Sequence, residues 1–466
     1  RDGGATSGVP PAEQSRRDGG ATSGFDVILG NPPYVRQETL GATKDYFAQH
    51  YAVYHGMADL YAYFIERAVM LLRDGGVMSY IVANKWMRAS YGAPLRRFLK
   101  QHCIEEITDF GDLPVFKGVT TYPCIMRVAR RQPCAAFNAT QVATLDFTDL
   151  NAYVAEHRYA VNIAGLDDAG WSLANADTQC LLDKLRAKGM PLGEYVKGKI
   201  YYGIKTGLNE AFVINAATRD RLIAEDPKSA ELIKPFLAGR DIKRYEQPHA
   251  DKFLIFTRRG IEIGQYKAIE KHLLAFKERL LPKPLSYSGT NWKGRKSGNY
   301  QWYEIQDAVD YYSEFGKPKI MYLVFQVRPS FVYLDYPMYA NNAVWMIPGD
   351  DKYLLAILNS KLGWYLISKH CTQIQNGFQL IYEYLRRIPI RTINFSDAPD
   401  KKRHAQVTDY VATMLALHQK RAAARTPDER TQLANQIAAT DRLIDKLVYE
   451  LYDLSAAEIQ IVERDA

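Results

Sequence analysis

The tetrapeptide Asn31-Pro32-Pro33-Tyr34 constrains the fold of this chain more than any other feature. It directly follows the apolar run Phe25-Asp26-Val27-Ile28-Leu29-Gly30, which predicts a short buried strand. Two successive prolines fix the backbone after that strand, so the turn holds one amide and one aromatic ring in a defined direction. These two groups can hold the exocyclic amine of a nucleobase and stack on its ring. The alternative is an ordinary strand-to-loop turn, because Asn-Pro is a common turn dipeptide.

Strand-like and helix-like segments alternate from residue 25 to about residue 131. Apolar residues recur at helical spacing over residues 59–72, and a strand is predicted at 77–82. A further helix is predicted around residues 94–100, with strands at 104–110 and 124–128. The alternation predicts an α/β fold with a parallel, doubly wound sheet, whose last two strands can form an antiparallel hairpin.

Composition divides the chain into four parts. Residues 1–8 recur letter for letter as residues 17–24, so residues 1–24 are interpreted as a flexible linker or a repeat introduced by cloning. Residues 25–135 form the α/β part described above. Residues 136–395 are predicted to form a mixed α/β part with many aromatic side chains, and residues 396–466 a helical segment of two or three helices.

Charge, cysteine content and hydropathy narrow the class of protein. The formal charge of +8 favours a polyanionic partner. Five cysteines without a C-x-x-C pair predict the reduced thiols of a cytoplasmic protein, and neither a disulfide framework nor a zinc site. No apolar run reaches the roughly 18 residues that span a bilayer, so no membrane partner is expected. The nine histidines show no ligand spacing, and no metal is predicted.

The polar groups of the tetrapeptide suit methyl transfer to adenine. The exocyclic amine of adenine is a weak nucleophile, because its lone pair is delocalised into the ring. The Asn31 side-chain oxygen and the Pro32 carbonyl can accept the two amine hydrogens and localise that lone pair. Tyr34 would stack on the base, which must first leave the duplex.

The tetrapeptide resembles the catalytic motif of gamma-class DNA adenine-N6 methyltransferases, which use S-adenosylmethionine. Nearly everything after residue 24 resembles such an enzyme with a C-terminal target-recognition domain, as in single-chain type IIG restriction–modification enzymes. The stretches that carry the resemblance beyond the motif are residues 59–64, 71–76, 77–87, 113–118, 120–124, 203–207, 235–242, 341–342 and 385–390.

The resemblance implies the C-terminal part of a Rossmann-like methyltransferase sheet, followed by a mixed α/β recognition domain and C-terminal helices. The implied site residues are Asn31, Pro32, Pro33 and Tyr34 for catalysis, Tyr34 and Phe116 for stacking on the target base, and Asp59, Tyr61 and Phe64 for the cofactor. The family carries its Gly-rich cofactor loop upstream of the motif, and nothing before Phe25 resembles that loop. We therefore expect the N-terminal cofactor-binding part to be missing and the chain to be inactive alone.

Three segments interleave basic and aromatic residues, at 197–205, 240–245 and 291–303. Such segments can bind phosphates through Lys or Arg and read base edges through Asn or Gln. The alternative is a solvated basic loop without a ligand. The predicted contacts with double-stranded DNA are Lys199, Lys205, Thr206, Arg240, Trp292, Lys293, Arg295 and Lys296.

Three functions stay open at this point. The first is the adenine-methylating portion of a restriction–modification or phage-defence enzyme, with an N-terminal nuclease segment of the same polypeptide as one option. The second is a non-catalytic DNA-recognition module whose chemistry is supplied elsewhere. The third is methyl transfer to RNA or to a protein, against which the specificity-type region of over 200 residues argues.

Overall fold

The computed structural model describes residues 24–116, 121–168, 170–374 and 376–464. The predicted linker, apart from Gly24, and the turn residues Lys117 and Gly118 lie outside the described residues. The chain divides into two compact units, residues 1–86 with 91–168 and residues 87–90 with 169–466. In the part of the chain that the structure describes, no helix is both long and apolar enough to cross a membrane.

The first unit contains a six-stranded sheet with the strand order β1-β2-β4-β3-β5-β6. Its strands are β1 (Phe25–Gly30), β2 (Leu72–Ala83), β3 (Cys103–Asp109), β4 (Pro123–Ala129), β5 (Ala136–Gln141) and β6 (Tyr159–Asn162). Strands β1 and β2 are parallel, as are β3 and β5. The α/β fold predicted from the sequence is confirmed.

The sheet differs from the prediction in direction and extent. Strand β4 lies between β2 and β3 and is antiparallel to both, so the sheet is mixed rather than parallel. The described residues between β3 and β4 form no helix, and such a short return favours an antiparallel neighbour. Strands β5 and β6 continue the same sheet, so the predicted domain boundary at residue 135 falls inside the first unit.

Four helices accompany this sheet, α1 (Thr43–His50), α2 (Tyr61–Leu71), α3 (Ala93–Leu99) and α4 (Leu150–His157). Helix α2 corresponds to the helix predicted at 59–72, and buries Ile65, Ala68 and Val69. Strand β2 begins directly after it, at Leu72, so the two glycines predicted to separate helix and strand lie inside the strand. Gly76 fits there because a Cβ would lie 2.6 Å from the carbonyl of Phe25 on the neighbouring strand.

Strand β1 lies at one edge of the sheet. Among the described residues it pairs with β2 alone, and the side chains of Phe25, Val27 and Leu29 are exposed. The prediction of a buried strand is therefore wrong for these three side chains.

Two of the five cysteines form a disulfide. Cys103 and Cys134 are bonded, and their Cα atoms lie 4.9 Å apart. Cys103 begins β3 and Cys134 lies just before β5, which is the parallel neighbour of β3. The prediction of reduced thiols throughout is wrong for this pair, because a sequence separation of 31 residues conceals their adjacency in the sheet. Cys124, Cys180 and Cys371 are free.

The second unit contains several small sheets. Their strands are β7 (Gly189–Pro191), β8 (Tyr201–Tyr202), β9 (Val213–Asn215), β10 (Ile233–Leu237), β11 (Lys252–Ile255), β12 (Lys319–Leu323), β13 (Phe325–Gln326), β14 (Phe331–Leu334), β15 (Tyr339–Ala340), β16 (Val344–Pro348), β17 (Thr372–Ile374), β18 (Gly377–Gln379) and β19 (Pro389–Arg391). Two four-stranded sheets have the orders β15-β10-β11-β9 and β14-β12-β16-β8. Side chains of β12, β14 and β16 contribute to two clusters of buried apolar residues, and one of these clusters also contains residues of β10 and β11.

Helices surround these sheets. They are α5 (Ala176–Lys188), α6 (Leu192–Tyr195), α7 (Asn209–Phe212), α8 (Ala216–Glu225), α9 (Lys267–Leu274), α10 (Lys277–Leu280), α11 (Lys352–Asn359), α12 (Lys361–His370), α13 (Tyr382–Leu385), α14 (Ala398–Ala423), α15 (Pro427–Leu451) and α16 (Ala456–Arg464). The predicted C-terminal helices are thus α14, α15 and α16. They share one buried core with α11, α12 and β12, to which α14 contributes Val407 and Val411, and α15 contributes Ile444 and Val448.

Candidate active site and nucleic-acid interface

The tetrapeptide begins directly after the carboxyl end of β1. Gly30, the last residue of the strand, lies against the ring of Tyr80 on β2, where a Cβ would approach the ring to 2.9 Å. Pro32 is buried, whereas the Asn31 side chain is exposed. The buried proline fixes the turn, and the asparagine amide is presented at the surface at the strand end.

The chain after the tetrapeptide is fastened to the start of α2. The amide of Leu60 donates to the Val35 carbonyl at 3.0 Å, and the amide of Gln37 donates to the Asp59 carboxylate at 3.0 Å. Burial raises the pKa of the Asp59 carboxyl, while the hydrogen bond from Gln37 opposes that rise. These contacts hold Asp59 close to the tetrapeptide in space, as the resemblance implies.

Tyr34 and Phe116 lie together, although 82 positions separate them in the sequence. Their ring centroids are 6.2 Å apart and the rings meet edge to face at 68°. The Tyr34 hydroxyl faces the carbonyl of Ile81 on β2 at 3.4 Å. Burial, together with the nearby Cys124 thiol, raises the pKa of Tyr34 to about 12, so the phenol is neutral at physiological pH.

Two residues that the sequence analysis did not assign hold the loop that carries Phe116. The Asn84 side chain donates to Asp109 Oδ1 at 2.7 Å, and the Gly111 amide donates to the same oxygen at 3.0 Å. Asn84 follows β2 as Asn31 follows β1, and Asp109 ends β3. Strands β1, β2 and β3 run in the same direction, so their carboxyl ends bring these polar groups to one edge of the sheet.

The residues predicted to border the cofactor divide into two kinds. Asp59 is half-buried and Phe64 is exposed, so both are accessible to a ligand. Tyr61 is 1% exposed, and its hydroxyl lies 3.2 Å from that of Tyr91. Tyr61 therefore acts as a packed residue of α2, and the prediction that it contacts a cofactor is not supported by its position.

In the second unit, most of the predicted DNA-contacting side chains are at the surface. Lys199, Lys205, Arg240, Lys293 and Lys296 are exposed. The ammonium of Lys293 lies 3.9 Å from the Glu278 carboxylate, and both side chains are about four-fifths exposed. Such a pair is screened by solvent and leaves the lysine available to a stronger anionic partner. Trp292 is half-buried, with its ring edge against Tyr287.

Arg295 and Thr206 are interior residues instead. The Arg295 guanidinium, on a residue 4% exposed, donates to the carbonyls of Leu280, Thr206, Glu304, Gln301 and Trp302 at 2.7–3.3 Å. Thr206 is 1% exposed, and its hydroxyl donates to the Asn209 side chain. The prediction that Arg295 and Thr206 contact DNA is therefore wrong.

Arg295 joins two predicted DNA-contacting loops. It holds the carbonyl of Thr206 from the 203–207 loop and those of Trp302 and Glu304 from the 291–303 segment. Burial lowers the pKa of Arg295 to about 10, which leaves it charged at physiological pH. The basic run in the sequence thus contains one internal tether among its surface cations.

A charged cavity of about 620 Å³ lies in the second unit beside α14 and α15. In its wall the Arg244 guanidinium binds the Asp441 carboxylate with both terminal nitrogens, at 2.8 and 2.5 Å, and donates to the Asn359 carbonyl. Asp445 lies next to this pair and accepts the amide of Lys361 at 2.9 Å. Burial, and secondarily repulsion from Asp441, raises the pKa of Asp445 to about 6.

Two family models match separate parts of the chain. Residues 9–116 match the Eco57I restriction-modification methylase model. Residues 234–390 match the TaqI-like C-terminal specificity domain. The first match contains the tetrapeptide and Phe116, and the second contains the buried Arg295 with its neighbouring basic loop.

Individual proteins match over longer stretches. The type II methyltransferase M.PaeR7I of Pseudomonas aeruginosa is 26% identical over 81% of this chain and 66% of its own length. The type II restriction enzyme and methyltransferase RM.Eco57I of Escherichia coli is 27% identical over 41% of this chain and 19% of its own length. The chain spans less than two thirds of each.

One solved structure shows the same fold. The type IIL restriction-modification enzyme MmeI, solved in complex with DNA, matches 94% of this chain and 56% of its own with a TM-score of 0.61 and 13% sequence identity. The match extends over both units.

Proposed function

Since the chain joins an Eco57I-type restriction–modification methylase segment to a TaqI-like C-terminal specificity domain, we propose that it methylates the N6 amine of adenine in double-stranded DNA. The observation that carries this proposal is the meeting of Tyr34 and Phe116, at 6.2 Å, beside the exposed Asn31 amide. An aromatic pair next to an amide acceptor suits a base that has left the duplex.

The acceptor groups of the tetrapeptide orient the amine. Asn31 Oδ1 and the Pro32 carbonyl accept its two hydrogens, which draws the nitrogen toward tetrahedral geometry and localises its lone pair. No strong base is needed, because positioning and hydrogen bonding supply the activation. The methylated nitrogen loses its extra proton after transfer, when it has become acidic.

Two rings hold the flipped adenine. Tyr34 is kept in place by the strand-end turn, and Phe116 by the loop fastened through Asn84 and Asp109. Stacking of a base on one aromatic side chain contributes about 1–3 kcal/mol, which offsets the cost of unstacking. Neutral Tyr34 adds no charge next to the base.

S-adenosylmethionine, when bound, supplies an electrophilic sulfonium methyl group. Asp59 and the exposed ring of Phe64 offer a carboxylate and an apolar surface, which fit the polar and adenosyl parts of this cofactor. In residues 24–116 and the other described ranges, no strand ends in a Gly-rich turn that opens a helix. We therefore propose that a further segment, carrying such a turn, is required for methyl transfer.

The exposed cations of the second unit bind the DNA backbone. Lys199, Lys205, Arg240, Lys293 and Lys296 are placed to neutralise phosphates, which gives affinity without sequence preference. A non-catalytic recognition module is the second candidate function, favoured by the same lack of a Gly-rich turn among the described residues. A nuclease segment in the same polypeptide would make the protein a restriction enzyme as well.

The test uses the complete natural polypeptide containing this chain, produced in bacteria that lack DNA methylation. Plasmid DNA should then carry N6-methyladenine in one sequence context. Asn31→Ala should lower the methylated fraction by about two orders of magnitude, the typical effect of removing an oriented hydrogen-bonding group. Asn435→Ala, which removes an exposed asparagine from α15, is the matched control and should leave methylation unchanged.

Three results would contradict the proposal. One is unmethylated DNA together with demonstrated cofactor binding, which would favour the recognition module. Another is methylation of cytosine. The third is full activity of Asn31→Ala.

A further inference from the structure

Asn299 and Gln301 carry exposed amide side chains on either side of the buried Tyr300. The backbone of Gln301 is hydrogen-bonded, but in the part of the chain that the structure describes neither side-chain amide has a hydrogen-bond partner. Exposed amides are common on protein surfaces and need no ligand by themselves. The rigid support beneath these two, and the cleft beside them, distinguish this pair.

Tyr300 fixes the chain between the two amides. It is 7% exposed, and the guanidinium carbons of Arg259 and Arg295 lie 5.2 and 4.5 Å from the centroid of its ring. Its hydroxyl donates to the carbonyl of Lys296, so the ring is held by both its face and its tip. Exposed, buried and exposed positions alternate along residues 299–301, which places the two amides on the side of the chain opposite the Tyr300 ring.

The backbone of Gln301 is held at both of its polar groups. Its amide donates to the Glu304 carboxylate at 2.8 Å, and its carbonyl accepts from the Glu304 amide at 3.0 Å and from the Arg295 guanidinium at 3.3 Å. Glu304 is 4% exposed and also accepts the amide of Gly260 at 3.0 Å. A side chain on such a fixed backbone points in a defined direction and loses little conformational freedom when it binds a partner.

The two amides border an open cleft of about 780 Å³ whose charges have both signs. Arg259 lies 3.9 Å from the Glu304 carboxylate, and Glu262 is exposed and accepts a hydrogen bond from the Gln265 side chain. One guanidinium against two carboxylates does not attract a phosphate into the cleft. Amides donate and accept hydrogen bonds without net charge, and so do the edges of base pairs. The cleft therefore suits a base edge, whereas the exposed Lys296 on the same segment suits a phosphate.

We propose that Asn299 and Gln301 read base edges in the major groove of DNA and that each fixes one position of the recognition sequence. The inference rests on the proposed function and extends it to which bases are selected. Both residues lie inside the segment that matches the TaqI-like C-terminal specificity domain. An Asn or Gln amide forms two hydrogen bonds with the N6 amine and N7 of adenine, so each residue specifies an A·T pair.

The experiment uses the complete natural polypeptide and a pool of duplexes whose central base pairs are random. Duplexes that bind the protein are recovered and sequenced, so the readout does not require methyl transfer. The unaltered protein should enrich one sequence motif. Gln301→Ala should lower the preference for A·T at one position of that motif by about fivefold or more, and Asn299→Ala should do so at another position. Both side chains are exposed, so the midpoint of thermal unfolding should not change.

Three further variants separate base reading from other contacts. Gln301→Glu replaces the amide by a carboxylate that only accepts, so the preferred pair at its position should change from A·T to C·G, whose cytosine N4 amine donates. Lys296→Ala should weaken binding to all sequences about equally and leave the motif unchanged, because phosphate contacts carry no sequence information. Asn435→Ala removes an exposed amide on α15 and should change neither motif nor affinity.

The outcomes are distinguishable. An unchanged motif for both Asn299→Ala and Gln301→Ala overturns the proposal, while methylation of plasmid DNA keeps the proposed function intact. A loss of affinity that is equal for all sequences, as expected for Lys296→Ala, also overturns it, in favour of a phosphate contact. Absence of any enriched motif with the unaltered protein overturns it as well. A motif that depends on the two amides, without N6-methyladenine in plasmid DNA, supports base reading and contradicts the proposed function alone.

Discussion

The strand-end site of the first unit and the basic loops of the second use polar side chains in opposite ways. In the first unit, Asn31 is exposed and Asp59 and Tyr34 are half-buried, all beside a backbone fixed by buried Pro32. In the second unit, Arg295 has its charge buried, and the half-buried Arg244 and Asp441 are paired with each other. The first region keeps functional groups accessible, whereas the second uses charge to hold its loops together.

This difference shows that the type of a residue does not by itself determine the role of its side chain. Arg295 and Lys296 are neighbours in one basic run, yet the first is an internal tether and the second is exposed. A planar guanidinium with five donors can satisfy a ring of carbonyls, whereas an ammonium on a flexible stem is more easily left in water. Substitution of Arg295 should therefore affect the stability of the fold, whereas substitution of Lys296 should affect binding to DNA. The same contrast is expected between the loop-holding charges of the second unit and the exposed groups of the first.

The largest expected change is the loss of stability on substitution of Arg295. Arg295→Ala leaves five carbonyls without their donor and should lower the free energy of unfolding of the second unit by about 3–5 kcal/mol. Arg295→Lys should recover little, because three donors on a flexible stem cannot replace the planar fork. Urea unfolding followed by tryptophan fluorescence measures this, with Lys296→Ala as the control that changes stability by less than about 0.5 kcal/mol. Equal free energies of unfolding for Arg295→Ala and Lys296→Ala would show that Arg295 does not stabilise the second unit more than a surface cation does.

A smaller change in the free energy of unfolding is expected from the titration of Asp445. Its folded pKa of about 6 exceeds the ordinary 3.8, so the folded state binds the proton more tightly than the unfolded state. The contribution of Asp445 to the free energy of unfolding should therefore fall by about 2 kcal/mol as pH rises from about 4 to about 6. Groups whose pKa is lowered in the fold, such as His370 and Asp400, contribute in the opposite direction.

Asp445→Asn keeps an oxygen acceptor for the Lys361 amide and has no proton to lose. The free energy of unfolding of this variant, relative to that of the unaltered protein, should increase from about pH 4 to about pH 6 and should stay higher at pH 7. The exposed Asp251→Asn serves as the control and should follow the unaltered protein. A difference in free energy of unfolding between Asp445→Asn and the unaltered protein that does not change with pH would contradict this role of Asp445.

The aromatic pair of the first unit should contribute to substrate binding without supporting the fold. Tyr34→Ala should weaken the catalytic efficiency on DNA by about tenfold or more, since one stacked ring is lost. Tyr34→Phe keeps the ring and loses only the long contact of 3.4 Å between the hydroxyl and Ile81, so it should retain activity within about threefold. Steady-state methylation kinetics measure both. Equal loss in the two variants would indicate that the hydroxyl, not the ring, is the important group.

The smallest effect is expected for single surface lysines. Lys293→Ala and Lys296→Ala should each weaken binding to unrelated duplex DNA moderately and reduce the slope of log affinity against log salt concentration by about one. Filter binding at several salt concentrations measures the slope. The exposed Lys446→Ala on α15 is the control. Unchanged slopes for both variants would show that Lys293 and Lys296 do not contact the DNA phosphates.

The strand-end turn of the first unit was predictable because the information that specifies it is local. A strand, two prolines and an aromatic residue follow one another in ten positions, and the backbone restriction they impose does not depend on distant residues. Asp59 and Phe116 came from the resemblance, and the structure brings Phe116 to Tyr34. Tyr61 was predicted with them, but its burial depends on contact with Tyr91, 30 positions away.

The other features of the fold and of the predicted interface depend on tertiary contacts, which residue patterns do not encode. The burial of Arg295 requires the carbonyl of Thr206, 89 positions away. The disulfide and the insertion of β4 depend on strand order, which the alternation of helices and strands leaves open. Residues 136–162 were assigned to the second domain because composition changes before the sheet is complete.

The pairing of Arg244 with Asp441 sets the limits within which sequence specificity could be exchanged between related proteins. A segment cut at the ends of the specificity-domain match, residues 234–390, would carry Arg244 into the recipient and leave Asp441 behind. It would also separate buried residues of α11 and α12 from Val411 and Ile444, which complete their core. The transferable cassette is therefore the whole second unit, with its C-terminal helices, and chimeras joined after residue 390 should be recovered as insoluble protein.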